Sequence, residues 1–258
     1  MNLVFYKYQG TGNDFVIIDN RTSFFPKENK VLINKLCNRN FGVGGDGLIL
    51  LENDDNVDFK MVYFNADGNQ STMCGNGGRC IVAFANRLGV INNITTFNAI
   101  DGLHHATINN GIVSLQMIDV DTVELKNGYV FTNTGSPHHV EIVENISSFD
   151  VYNKGKEIRN GIYGSEGSNV NFVEQLDTNS FRIRTYERGV ENETLACGTG
   201  ATAAAIAMHN TNKTQAKEIN IKVEGGQLSI SFDVENNSYK NVFLKGPAEF
   251  VFKGEIEI

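Results

Sequence analysis

Two stretches of this chain place a cysteine directly before a glycine-rich turn that runs into an apolar helical pattern. They are TMCGNGGRCIVAFANRLG at 72–89 and LACGTGATAAAIAMHN at 195–210. A helix N-terminus leaves backbone N–H groups unpaired and carries partial positive charge. Cys74 and Cys197 are therefore expected to be stabilised as thiolates, below the ordinary thiol value of about 8.5. The glycines that follow let a ligand approach the amides closely, and a carboxylate suits such a helix start. Each stretch thus offers a reactive thiol and an anion cradle. Two of them gripping one carboxylate would set one sulfur on each side of the neighbouring carbon. Inversion of a carbon stereocentre by proton transfer requires that arrangement. A thiolate removes the α-proton from one face, a thiol returns one to the other, and the roles exchange in the reverse direction. An amino-acid α-proton is weakly acidic, so amides preorganised around the carboxylate must stabilise the carbanion-like transition state. The site must also exclude water.

A single cysteine before a glycine is ordinarily a small buried apolar residue; the matched pair carries the reading. Cys37, inside VLINKLCNRN, reads as core, and Cys80, on the helix after Cys74, reads as packed. Cys74 and Cys80 lie outside the short spacing of zinc ligands. Cys-x-x-Cys, the usual thiol redox arrangement, is absent. Gly42 to Gly47 formally match G-x-G-x-x-G. That match follows a helical stretch and precedes a β-pattern, the reverse of the order a dinucleotide site requires.

These turns need a scaffold, and the 258 residues, 41% of them apolar, can build one large or two medium domains. The net charge of −8 argues against a nucleic-acid binder, which normally shows a basic surface, but leaves small anionic substrates open. No run approaches the roughly 18 apolar residues of a membrane span. The start, MNLVFYKYQGTGNDF, lacks the features of a signal peptide. The expectation is a soluble cytoplasmic protein whose four cysteines are thiols rather than a disulfide framework.

Short β-patterned runs dominate: NLVFYKYQ, DFVIID, GLILLE, FKMVYFN, GIVSLQMI, HHVEIV, FRIRTYE, INIKVE, QLSISFDV and NVFLKG. Helices are expected over 29–39, 76–88 and 199–210, and hairpin turns at Asn110-Gly111 and Gly225-Gly226. A weak internal repeat pairs KYQGTGNDFVIID with FTNTGSPHHVEIV, and MVYFNADGNQSTMCGNG with RIRTYERGVENETLACGTG. Its period is too long for a solenoid. It implies two similar domains that meet near residue 119, with the two cysteines facing each other across an interdomain cleft.

GTGNDFVIID, FNADGNQSTMCGNGGRC, TGSPHHV, YERGVENETLACGTGA and GPAEFVFKGEI together resemble the diaminopimelate epimerase family, in the right order over nearly the whole chain. The resemblance implies an α/β (α+β) fold of two pseudo-symmetric domains, each a curled, mainly antiparallel sheet around a central helix. The active site would lie in the interdomain cleft. The domains would be 1–118 with a returning strand at 250–258, and 119–249. It implies a cofactor-independent enzyme that interconverts LL-2,6-diaminopimelate and the meso form for lysine and peptidoglycan synthesis, often as a homodimer. No metal, flavin or pyridoxal phosphate is implied.

Carried over residue by residue, Cys74 and Cys197 match the two acid/base cysteines. Gly75, Asn76, Gly198 and Thr199 would meet the α-carboxylate and amine at the helix starts. Asn13, Asn65, Asn169 and Arg188 match substrate-recognition positions, Arg188 offering a planar two-donor fork to the distal carboxylate. His138 and Glu187 match residues that tune or relay protons for the cysteines. Read by position alone, Asn13 could serve only its turn and Glu187-Arg188 could be a surface pair. His104 and His105 are expected to be exposed near a hairpin, and His139 to face away from His138. The chain departs from the family twice. Many members carry Asn where this chain has Ser136, so one contact is lost or bridged by water. Some carry Gln where this chain has Gly47.

Two other classes fit part of the pattern. A proline or hydroxyproline racemase shares the two-thiol logic but handles one carboxylate, leaving Glu187, Arg188 and two recognition asparagines without work. A non-catalytic amino-acid-binding protein needs the helix-start amides but not two thiols.

Overall fold

A computed structural model of the chain describes residues 2–258. The chain divides into two units, Met1–Leu115 with Gly246–Ile258, and Gln116–Lys245. In the first, β1 (Asn2–Gly10) and β2 (Asn13–Asp19) form a hairpin. Its two loop residues, Thr11 and Gly12, both have positive φ (50° and 93°), as a tight hairpin turn demands. After α1 (Lys30–Cys37), β3 (Gly47–Glu52) runs parallel to β2, and β4 (Phe59–Asn65) returns antiparallel. The short β5 (Gln70–Ser71) leads through Cys74 into α2 (Gly75–Arg87). Then β6 (Ile94–Ala99) pairs parallel with β4, and β7 (Gly102–Asn109) and β8 (Ile112–Gln116) complete an antiparallel meander.

Both faces of this sheet are covered, so its strands read as nearly continuous apolar runs rather than alternating ones. Val16, Ile18, Leu48 and Leu50 pack with Ile33 and Leu36 of α1. On the other face Ile49 and Met61 approach Gly77 of α2. The α2 residues from Gly75 to Ala85 are all buried, and the helix touches β1, β2, β3 and β7. It is therefore the axis around which the sheet curls.

The second unit repeats this order. A short β9 (Val123–Leu125) pairs with β10 (Val130–Asn133), which forms a hairpin with β11 (Pro137–Ile142). Next come α3 (Val151–Gly161), β12 (Asn169–Asp177) parallel to β11, and β13 (Ser180–Glu187) antiparallel to β12. The short β14 (Asn192–Thr194) leads through Cys197 into α4 (Gly198–Asn210). Then β15 (Glu218–Val223) pairs parallel with β13, followed by β16 (Gly226–Glu235) and β17 (Ser238–Pro247). The axis here is α4, buried on all sides and rich in alanine, the best helix former and small enough for strands to close on it. Ala203, Ala204, Ile206 and Ala207 share one core with Ile183, Ile219, Ile230 and Leu244. The last strand, β18 (Glu249–Glu257), returns to the first unit and pairs antiparallel with β1.

The three expected helices stand within two residues of their expected bounds, but α3 was not among them. Its sequence, VYNKGKEIRNG, buries only Val151 and Gly155, so it shows almost no apolar stripe. Asp150 caps it by accepting from Asn153 N–H. Gly155 lets it lie on Tyr186: a Cβ there would sit 2.3 Å from that side chain. The strands β6, β7 and β12 were also missed, because polar residues interrupt their patterns; Asn169, Asn171 and Thr95 are buried within them. The expected turn at Gly225-Gly226 is offset by one residue. Val223 pairs with Gly226, so Glu224 and Gly225 form the loop.

Candidate active site

The structure holds two half-sites of the same construction, one in each unit. In the first, Cys74 is the N-cap of α2 in extended conformation, and its Sγ accepts from the Gly77 N–H at 3.2 Å. In the second, Cys197 is the extended N-cap of α4, and its Sγ accepts from the Gly200 N–H at 3.4 Å. A thiol thus does the work usually done by a serine or aspartate oxygen. The sulfur is held at the positive end of the helix, where an anion is favoured. Close approach explains the glycines. A Cβ on Gly77 would lie 3.1 Å from the Cys74 sulfur, and one on Gly78 would lie 2.7 Å from Met73 Sδ. Cys37 and Cys80 are buried, and burial pushes the Cys37 thiol up to about 12 and Cys80 higher still.

Around Cys74 the polar side chains form a chain of bonds. Asn76 is buried; its amide donates to Asn13 Oδ1, and its carbonyl oxygen accepts from Arg79 Nη2 at 3.0 Å. Asn13 in turn donates to Asp46 Oδ2 at 2.9 Å. Asp46 belongs to the glycine-rich loop before β3, and that loop is clamped onto Asp14. Asp46 N–H donates to the Asp14 carbonyl at 2.7 Å, Arg39 forks onto the Asp14 carboxylate at 2.9 and 2.7 Å, and Lys7 lies 2.7 Å from it. Burial would raise Asp14, but the Arg39 and Lys7 bonds outweigh it and hold the carboxyl at about 2. Asn65 stands exposed at the end of β4, where its backbone closes the turn to Gly68 and Asn69. Gly47 sits against Tyr63: a Cβ would meet its ring at 2.5 Å. The Tyr63 side chain therefore occupies the space beside this glycine.

Around Cys197 the arrangement is tighter. Thr199 Oγ1 lies 3.4 Å from the sulfur, and Thr134 of the β10–β11 turn donates to the Thr199 carbonyl at 2.8 Å. His138, fully buried, faces two asparagines of β12. Asn171 Nδ2 lies 3.0 Å from His138 Nδ1, and Asn169 Nδ2 lies 3.5 Å from Nε2. The Asn171 amide cannot be reversed, because its NH2 also donates to the His139 carbonyl at 3.0 Å and its oxygen accepts from Thr185 at 3.0 Å. His138 Nδ1 must therefore accept, and the neutral ring carries its proton on Nε2. Asn169 Oδ1 accepts from Arg188 N–H at 2.8 Å, which ties β12 to the turn after β13. Arg188 itself is exposed, with Nη1 on the Glu166 carbonyl at 3.0 Å. Glu187 accepts from Thr194 of β14 at 2.9 Å.

His139 does point away from His138, but it too is buried, stacked on Tyr129 at 4.1 Å and bonded to Tyr163 at 3.0 Å. His104 was expected to be exposed and is not. It stacks on Phe97 at 5.3 Å and lies 3.3 Å from Asp101.

The diaminopimelate epimerase family model matches residues 5–120 and 130–251. This chain belongs to the diaminopimelate epimerase family. The diaminopimelate epimerase of Flavobacterium psychrophilum is 65% identical over 253 residues, covering 97% of this chain and 99% of that one. That of Aquifex aeolicus is 41% identical over 275 residues, covering 98% and 97%. Among solved structures, a Bacillus anthracis phenazine biosynthesis protein of the PhzF family superposes with a TM-score of 0.80 at 14% identity, covering 100% of both chains. A hydroxyproline epimerase from Agrobacterium vitis superposes at 0.72 with 12% identity, covering 99% and 92%. At such identities these likenesses show the fold alone. It is a curled, unclosed sheet in each of two pseudo-symmetric halves, as the family resemblance implied.

Asn171 was not anticipated, although a signal was present. Asn169 and Asn171 lie two apart in a strand and so share a face with each other. Arg79 and Asp46, which complete the bonds around Asn76 and Asn13, were also passed over.

Burial holds His138 at about 3, with the Arg188 charge lowering it further and the Asn171 bond opposing. Burial alone holds His139 at about 4. In the unfolded chain both titrate near 6.5. Between pH 6.5 and about 4 the unfolded chain therefore binds more protons, and stability must fall as pH falls through that window. The slope should approach about 1.4 kcal/mol per pH unit for each histidine. Urea titrations at pH 7, 5.5 and 4.5 should show a shallower loss in His138→Gln than in the unsubstituted protein. Equal slopes would mean that His138 is not buried neutral.

Proposed function

We propose that this diaminopimelate epimerase-family chain interconverts LL- and meso-2,6-diaminopimelate without a cofactor, Cys74 and Cys197 exchanging the α-proton. The observation that carries this reading is the pair of N-capping thiols, each accepting from the amide three residues on, at matched places in the two units. The reading requires the two sulfurs to address opposite faces of one α-carbon. The thiolate takes the proton, the helix-start amides at Gly75, Asn76, Gly198 and Thr199 hold the carboxylate as charge builds beside it, and the other thiol returns a proton. Fixed amide dipoles favour that charge without reorganising.

The distal end of the substrate is a second amino acid. We assign Arg188 to its carboxylate, and Asn13, Asn65 and Asn169 to its remaining polar groups. His138 enters as a neutral ring whose Nε2–H can donate to an anion, and Glu187 as a group that tunes or relays protons for the cysteines. A homodimer in the cytoplasm, serving lysine and peptidoglycan precursor synthesis, belongs to the same reading. Among the described residues no helix is long and apolar enough to cross a membrane.

The test is proton NMR of the reduced protein with LL-diaminopimelate, L-proline and trans-4-hydroxy-L-proline in separate tubes of deuterated water. Loss of the α-proton signal with growth of the meso isomer in the first tube alone is expected. Exchange of proline or hydroxyproline instead would overturn the substrate. No exchange in any tube would leave an amino-acid-binding protein as the better reading.

A further inference from the structure

The two half-sites match in backbone but not in charge. Five residues after Cys74 stands Arg79; five after Cys197 stands Thr202. Both are fully buried and both bond the carbonyl of the helix's first glycine. Arg79 Nη1 donates to Gly75 O at 3.3 Å, and Thr202 Oγ1 donates to Gly198 O at 3.0 Å. Three further donors of Arg79 also go to neutral oxygens: Pro247 O at 3.3 Å, Thr11 Oγ1 at 3.1 Å and Asn76 Oδ1 at 3.0 Å. Arg39, Arg159, Arg182 and Arg184, all more exposed, each take a carboxylate; Arg79 takes none among the described residues.

A buried cation without a counter-ion is costly. Its charge is retained where something anionic comes to meet it. The titratable groups around this helix start are Cys80 on α2, Lys7, Tyr6 and Tyr8 on β1, Asp14 on β2, Asp46 at the end of the Asn76–Asn13 chain, Glu249 on β18, and Asp101 with His104 beside Met73. Asp14 is bound by Lys7 and Arg39, Asp46 by Arg39 and Asn13, Asp101 by His104, and Glu249 by Gln9. Cys80 is buried, and its thiol is pushed up by burial. The remaining groups that can carry negative charge at this spot are the Cys74 sulfur and a carboxylate held by the helix-start amides.

We propose that Arg79 is a positioning residue for the first cysteine. Its fixed charge favours the Cys74 thiolate, and its bond to Asn76 orients that amide and, through it, Asn13. This rests on the reading that both thiols exchange protons, and adds that the Cys74 thiolate has a fixed cation of its own helix behind it. Burial lowers Arg79 from its ordinary value, and the nearby Cys80 and Cys74 sulfurs oppose that shift.

The test reads the thiols rather than turnover, so it stands apart from the identity of the substrate. Competitive iodoacetamide labelling from pH 5 to 10, resolved by mass spectrometry, gives a midpoint for each cysteine in one sample. In the unsubstituted protein the Cys74 midpoint should lie below the ordinary thiol value of about 8.5; a midpoint at or above it would overturn the proposal without any variant. Arg79→Gln keeps donors and loses charge. It should raise the Cys74 midpoint by about one unit or more, leaving tenfold less thiolate at a given lower pH, and leave Cys197 where it was. Arg79→Lys should hold the Cys74 midpoint near its original value, since lysine keeps the charge although it lacks the planar fork. An unmoved Cys74 midpoint in Arg79→Gln, or equal movement of both cysteines, would reduce Arg79 to a structural tie between α2, the β1–β2 turn and Pro247.

Discussion

Cys74→Ser and Cys197→Ser should each lower epimerisation in both directions by about 10²–10⁴-fold, the usual worth of a positioned acid or base. The substitution isolates chemistry from structure. Serine is among the best N-cap residues, and its oxygen can take over the bond from Gly77 or Gly200 N–H that the sulfur now accepts. Helix and fold should survive, with melting temperatures close to that of the unsubstituted protein. What is lost is acidity, since a hydroxyl is a far weaker acid than a thiol. Each direction needs both a base and an acid, so neither serine variant should retain one direction. A single variant with near-normal turnover would break the assignment of two thiols to one proton exchange.

Gly200→Ala should be nearly as damaging, by a different route. The new Cβ would lie 2.4 Å from Asn171 Oδ1 and 3.3 Å from the Cys197 sulfur. Asn171 cannot give way easily, because three bonds fix its amide, and one of them holds His138. Alanine would otherwise add up to about 1 kcal/mol of helix stability over glycine. Overpacking of this kind typically costs about 1–3 kcal/mol, so the net effect should be destabilising. Displacing the thiol or His138 by even about 1 Å should cut kcat on the order of a hundredfold. Circular dichroism melts and kinetics together check this. A variant more stable than the parent and fully active would show that the close packing of α4 against β12 is dispensable.

The helices and the cysteine turns were legible because their signals are local. Cys-Gly-x-Gly followed by an apolar run announces its own N-cap, and the structure places α2 and α4 at those points. The pairing of the two halves was legible from the repeated order of strand, turn and helix. What escaped depends on long-range contact. α3 looks like a surface loop because Gly155, its main buried contact, matters only against Tyr186, 31 positions further on. β12 breaks the apolar pattern because Asn169 and Asn171 are buried polar residues, Asn171 satisfied by His138, His139 and Thr185, and Asn169 accepting from Arg188 N–H. His104 looks exposed beside its hairpin until Phe97 and Asp101 are brought to it. Polar residues buried at a site read as loop residues in sequence, since their partners lie far along the chain.

The central claim is that two thiols, one for each face, exchange the α-proton. The most direct measurement is the isotope content of both diaminopimelate isomers, by mass spectrometry, in the first tenth of the reaction from LL substrate in deuterated water. Two thiols predict meso product that carries deuterium at the inverted carbon, while the LL substrate still unreacted retains protium. Deuterium appearing in recovered LL substrate as fast as in the product, or protium retained in the meso product, would mean that one group serves both faces, and would contradict the account.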